Sequence, residues 1–253
     1  MGTFPVRIIP RLDIKGENVV KGIQLEGLRI VGAPGELSRK YYADGADEIV
    51  FMDVVASLYG RNQILDIVQE AAREIFVPMT VGGGLRTLND IRAVLRSGAD
   101  KVAINTAAID RPEFLDEAAQ AFGSQCIVLS IEAKRQEDGW GAYTENGRER
   151  TGRVVMEWAY EAQSRGVGEL LITSVDHEGT RRGFDKTLLE ALYPTLNIPI
   201  IACGGSGSAD HVAEILAAPL TDAVCCASIF HFDTCPIGEL KNDLTGRDLA
   251  VRQ

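Results

Sequence analysis

Short apolar runs of four to six residues recur along the chain. Each is followed by a longer stretch in which apolar residues return every three or four positions. The runs predict strands near Val6–Leu12, Glu48–Val54, Met79–Val81, Val102–Asn105, Ile127–Ile131, Leu170–Thr173, Ile200–Ala202 and Ala223–Cys226. The longer stretches predict helices near Gly35–Asp44, Asn62–Ile75, Leu88–Ser97, Pro112–Phe122, Gly152–Arg165, Lys186–Tyr193, Ala209–Leu216 and Ile237–Leu244. Several stop on a glycine (Gly45, Gly98, Gly123, Gly166), the residue that most easily adopts the left-handed turn ending a helix. Strands that are apolar on both faces belong to parallel sheets covered on both sides. Eight strand-then-helix units in 253 residues predict a closed (β/α)8 TIM barrel. An open doubly wound sheet would carry a GxGxxG or GxxxxGK[ST] turn after its first strand, and neither is present.

The pattern repeats. VPMTVGGGLR resembles IPIIACGGSG, GADKVAINTA resembles LTDAVCCASI, EIVFMDVVAS resembles ELLITSVDHE, and RIIPRLDIK resembles CIVLSIEAK, in one order and at offsets of 119 to 122 residues. The expected architecture is one barrel domain over residues 1–253, made of two fused pseudo-twofold halves, 5–122 and 123–244. The polar tail Thr245–Gln253 is expected to be disordered. Arg135–Gly152 is long for a connection, and its Asn146-Gly147 pair predicts a small β-ribbon over the mouth, with Trp140 and Tyr143 as cover or packing.

Composition narrows the class. Hydrophobic residues make up 45% and charged residues 25%, as expected for a soluble protein with a substantial core. No apolar run is long enough for a membrane span, and the N-terminus lacks the apolar stretch of a signal peptide. Five cysteines without CxxC spacing predict a reducing, cytoplasmic setting and no zinc site. A net charge of −10 argues against a nucleic-acid surface but leaves room for a small phosphorylated ligand.

Barrel active sites lie at the C-terminal strand ends. There, Gly82-Gly83-Gly84 and Gly204-Gly205, each before a helix start, predict backbone cradles for phosphate. The following strands end on Asn105-Thr106 and Ala227-Ser228. Two cradles at symmetric positions predict a bisphosphorylated ligand. Asp13 and Glu132 end the equivalent first and fifth strands, so they are expected to face each other across the mouth and work as an acid–base pair. The bland alternative pairs them with Lys15 and Lys134. Asp53 and Asp176 end strands two and six, placed to bind ligand hydroxyls or to orient lysines, and Lys21 sits in a glycine-flanked loop able to close over substrate. At the other barrel end, Arg7, Glu48, Lys101 and Glu169 begin four different strands with alternating charge. Four such charges over an apolar interior must touch.

Taken in order, RIIPRLDIKGENVVKG, GADEIVFMDVVAS, TVGGGLRTLND, GADKVAINTAA, FGSQCIVLSIEAKR, GELLITSVDHEGT, IIACGGSG and ASIFHF resemble the cyclase subunits of imidazole glycerol phosphate synthase. The resemblance implies a lyase of histidine biosynthesis that receives ammonia from a partner glutaminase, needs no cofactor or metal, and splits a ribotide with a phosphate at each end. By motif, Asp13 matches the family's first catalytic aspartate and Lys21 its loop lysine. Asp53, Asn105, Thr173 and Asp176 match substrate-contacting positions, and Gly84, Gly179, Gly205 and Ser228 phosphate-site positions. Arg7, Glu48, Lys101 and Glu169 match the ammonia gate. The chain has no Cys–His pair in a glutaminase motif, so the barrel bottom is expected to dock the partner. Three positions depart from the family pattern: Arg11 stands in place of a cysteine, Glu132 in place of an aspartate, and Glu178 in place of an aspartate. They leave two alternatives, an ammonia-using paralogue acting on a different, cell-surface sugar substrate, and a non-catalytic activator of a glutaminase.

Overall fold

The structure, a computed structural model, describes residues 5–55 and 62–253. Eight parallel strands form the barrel: β1 (Arg7–Lys15), β4 (Ile49–Asp53), β5 (Met79–Gly82), β6 (Lys101–Ile104), β7 (Ile127–Gln136), β10 (Glu169–Ser174), β11 (Ile200–Cys203) and β12 (Ala223–Cys226). They pair in chain order, and β12 closes onto β1 with Arg7 opposite Ala223. The helices between them are α1 (Pro34–Ala43), α2 (Asn62–Ala71), α3 (Leu88–Arg96), α4 (Thr106–Asp110), α5 (Glu113–Phe122), α6 (Val155–Ser164), α7 (Lys186–Leu192), α8 (Ala209–Ala217), α9 (Ser228–His231) and α10 (Ile237–Gly246). The predicted TIM barrel is present. No helix among the described residues is long and apolar enough to cross a membrane.

Strand alternation sorts each barrel strand into two faces. On β1, Ile8, Leu12 and Ile14 point outward into the large core shared with the helices, alongside Phe51, Phe114 and Trp158. Arg7, Ile9, Arg11 and Asp13 occupy the opposite register. Ile9 joins Val50, Ala103, Val128, Leu171, Ile201, Cys203, Ala223 and Cys225 in a second, interior core. The barrel is therefore filled by a thin apolar layer, with charged residues at both ends of the same strands.

The largest difference from the expected elements lies after β1, while the expected ribbon follows β7. Both strands run beyond the barrel and fold back as ribbons: β2 (Asn18–Ile23) with β3 (Glu26–Gly32), and β8 (Gly139–Thr144) with β9 (Glu149–Val154). The second ribbon was expected from Asn146-Gly147, and the chain there turns through left-handed Glu145, Asn146 and Gly147. It takes the residues up to Val154 into β9, so α6 starts later than periodicity predicts. The first ribbon was expected as a loop. Val19 and Val20 are β-branched and buried, which favours a strand over an open connection. The tail expected to be disordered instead lies along β1, where Val6 N–H donates to Ala250 O and Arg252 N–H to Val6 O.

Candidate active site at the barrel mouth

Two residues of β1 reach the mouth side by side. Arg11 Nε donates to Asp13 Oδ1 at 2.8 Å, and the same guanidinium reaches Thr173 Oγ1 of β10 at 3.1 Å and Cys203 Sγ of β11 at 3.7 Å. Lys21 comes down from β2, with Nζ 3.7 Å from Asp13 Oδ2, and pairs with Glu178 from the segment after β10. All four charged groups are buried. Burial by itself pushes the Asp13 carboxyl up, but Arg11 and Lys21 outweigh it and hold Asp13 below the ordinary carboxylate range. Burial lowers the Lys21 ammonium, and Asp13 offsets only part of that.

Glu132, at the end of the barrel portion of β7, behaves in the opposite way. Its Oε2 accepts from Gly147 N–H at 2.8 Å, but no cation forms an ion pair with it within the described residues. Burial pushes its carboxyl up to about 7, with the Gly147 hydrogen bond and Arg11 holding it back. Two acids at equivalent strand ends thus have opposite proton affinities, because the cations sit with only one of them. The alternative partners, Lys15 and Lys134, are not used: Lys15 is exposed, and Lys134 lies over the Tyr143 ring.

A cavity of about 290 Å³ opens beside this cluster, lined by Arg11, Asp53, Gly83, Gly84, Asn105, Thr106, Ser130 and Glu132 among others. The first predicted cradle therefore faces open space. The glycines also answer a packing demand, since a Cβ on Gly83 (φ +103°) would stand 2.2 Å from Asp53 O. The N-terminus of α3 is already capped, because Asp90 accepts from Arg86 and Thr87 N–H while Thr87 Oγ1 accepts from Asp90 N–H. The glycine turn and the start of α4 line the cavity instead.

The second predicted cradle is covered. Gly204, Gly205, Ala227 and Ser228 are all buried, and residues 175–185 pack over the two glycines. Gly183 N–H donates to Gly205 O at 2.9 Å, and a Cβ on Gly205 would lie 1.9 Å from Gly183 O. His211 Nδ1 already receives Gly207 N–H. The cover is fastened to the first ribbon by the Lys21–Glu178 pair and by Gln24 N–H on Glu178 O, and Gly179 packs against Gly22 O. Thr173 is buried under Arg11. Asp176 is not in the cavity, since its Oδ2 accepts from Arg135 N–H at 2.7 Å and anchors the base of the second ribbon. Trp140 Nε1 donates to Asp185 Oδ2, which ties the second ribbon to the end of the cover. Ser130, two residues before Glu132 and on the same face, is a lining residue that strand alternation points to once Glu132 is chosen.

At the opposite end the four predicted charges form a closed ring. Arg7 pairs with Glu48 at 2.6 Å and with Glu169, and Lys101 pairs with Glu48 at 3.0 Å and Glu169 at 2.8 Å. Each cation touches both anions. Burial lowers the Arg7 guanidinium, and the two glutamates more than reverse this. Among the described residues, no three His, Cys, Asp or Glu side chains group in a way that would hold a metal ion.

Comparison with known proteins agrees with this layout. The family model described as histidine biosynthesis protein matches residues 7–236, a span that runs from the bottom ring through both mouth cradles. A protein of Legionella pneumophila, imidazole glycerol phosphate synthase subunit HisF, is 55% identical over 203 residues, covering 80% of this chain and 96% of that relative. On both grounds, the chain belongs to the histidine biosynthesis family, alongside the HisF cyclase subunits.

Proposed function

We propose that the protein is the cyclase subunit of an ammonia-using synthase, a lyase acting on the phosphoribulosyl-formimino-carboxamide ribotide and releasing imidazole glycerol phosphate and aminoimidazole carboxamide ribotide. The observation that carries this reading is the 55% identity to a HisF subunit over nearly that subunit's whole length. The geometry supports it at both barrel ends. The bottom ring is a plug that a docked glutaminase opens by drawing Arg7 or Lys101 away, admitting ammonia to the apolar interior layer. Phe76, 77% exposed near Tyr42 at the barrel bottom, supplies an apolar anchor for that partner.

At the mouth, one phosphate of the substrate binds the backbone of Gly83, Gly84 and Thr106, and the other binds at Gly204, Gly205 and Ser228 once residues 175–185 lift. A 290 Å³ cavity lies at the lower limit for small-ligand pockets, roughly 300–1,000 Å³, so a bisphosphorylated ribotide needs the covered half as well. Glu132, half-protonated near neutral pH, moves the proton, and Asp13 steadies the positive charge that builds on the added nitrogen. Turnover of the ribotide with an ammonium salt tests the reading, and a rate no higher than buffer ends it. A second reading, an ammonia-using relative with another substrate, draws on one observation: Arg11 and Glu178 put two extra contacts on Asp13 and Lys21 in the mouth. The same assay, negative with the ribotide while the purified chain still binds and activates a glutaminase, would favour it. An Asp13→Asn variant that keeps full flux would instead point to a non-catalytic activator.

A further inference from the structure

Arg11 is the least expected group in the mouth. It is buried, it stands directly above the interior apolar layer, and its guanidinium touches three strands. It also lines the open cavity together with Ser130 and Glu132. We propose that Arg11 is a positioning residue that divides the acid–base labour of the mouth, locking Asp13 as a permanent anion and leaving Glu132 as the group that carries the transferable proton. This rests on the lyase reading for the identity of the reaction, but its physical core is a property of the folded chain alone.

The charges around each acid support the division. Asp13 is faced by Arg11 on its own strand, by Lys21 from β2 and by His231 from α9, with Glu178 on the far side of Lys21. His231 stays neutral, since burial and Lys21 push its imidazole down to about 4. Cys203 and Cys225 lie beneath Arg11, where a hydrogen bond from Cys225 and the nearby guanidinium lower the Cys203 thiol. Glu132 is faced by Arg11 and Asp13 from β1 and by Glu145 and the Gly147 N–H from the turn of the second ribbon. Arg11 makes its short contact to Asp13 and none to Glu132. A guanidinium cannot be titrated away in the working pH range, so the bias it imposes is fixed by the sequence.

The test is carbon-13 NMR titration of the carboxyl groups in the whole chain, with Asp13→Asn and Glu132→Gln used for assignment and Arg11→Met and Arg11→Lys as the probes. In the unaltered chain, Glu132 should titrate near 7 and Asp13 should stay ionised well below the usual carboxylate range. In Arg11→Met, the Asp13 midpoint should rise by about 1–3 pH units, Glu132 should move up as well, and Arg11→Lys should restore part of both shifts. The acid limb of the pH–rate profile with ribotide and ammonia should follow Glu132 in each variant. A purely structural role for Arg11 would lower kcat without moving that limb. An Asp13 midpoint unchanged in both Arg11 variants, or Glu132 titrating as an ordinary carboxylate in the unaltered chain, overturns the proposal. If Arg11→Met fails to fold, Arg11→Lys carries the same comparison with a smaller shift. Failure to turn over the ribotide while the carboxyl titrations behave as described counts against the lyase reading only.

Discussion

The two ends of the barrel hold charge in different ways, although the same strands build both. At the bottom, Arg7, Glu48, Lys101 and Glu169 balance two against two, and each cation bridges both anions. At the mouth, Arg11 and Lys21 balance Asp13 and Glu178, and Glu132 has no ion pair among the described residues. A balanced ring stabilises as long as it stays whole. An odd carboxyl in a half-buried place is unfavourable for folding when charged, and useful for that reason to proton transfer. On the proposed function, the bottom serves as a closure and the mouth as the reactive surface.

Breaking the balanced end should have the largest effect. Glu48→Ala leaves Arg7 and Lys101 each with a single shared partner, Glu169, and should lower stability by about 3–5 kcal/mol, read from urea unfolding. A loss under about 1 kcal/mol would mean that solvent already screens the ring. Next comes the mouth: Asp13→Asn should slow ammonia-driven turnover by about 100-fold or more, because the fixed anion is gone while the cradles remain.

Glu132→Gln sharpens the contrast, since it should stabilise the fold while slowing the chemistry. With the folded carboxyl near 7 and the unfolded one at 4.5, the native state holds more protons than the unfolded chain between those values, so stability falls as pH rises through that window. The glutamine escapes this loss. Its advantage should be absent near pH 4 and complete above pH 7, at roughly 2 kcal/mol after allowing for partial solvent contact. Thermal unfolding at the two pH values measures it, and equal curves would remove the claim that Glu132 is the unmatched group. The smallest effect on folding belongs to the bottom rim: Phe76→Ala should change stability by less than about 0.5 kcal/mol. It should still weaken capture of the glutaminase about tenfold in a binding titration, as loss of an apolar anchor does.

The strand pattern, the repeated offset and the glycine turns were legible in the sequence because they are periodic, and periodicity survives without coordinates. The bottom ring was legible for the same reason: Arg7, Lys101 and Glu169 each open a strand, Glu48 stands just before one, and a closed parallel barrel brings these positions together. The first ribbon was hidden because KGENVVKG is too short to show alternation, and its strand character depends on the burial of Val19 and Val20. Which cradle is open was hidden too. Gly83-Gly84 and Gly204-Gly205 look alike in sequence, and among the described residues it is the path of residues 175–185 over the second pair that separates them.

The sequence by itself determined the barrel, the two ends that carry charge, and which acids stand at equivalent strand ends, since all of these follow from position along a strand. Only the tertiary structure decided that Arg11 sides with Asp13, that Lys21 is shared with Glu178, and that among the described residues no cation pairs with Glu132. Those outcomes depend on distances of a few ångströms between side chains from different strands and on burial that makes each such distance count, and neither is written in the order of residues.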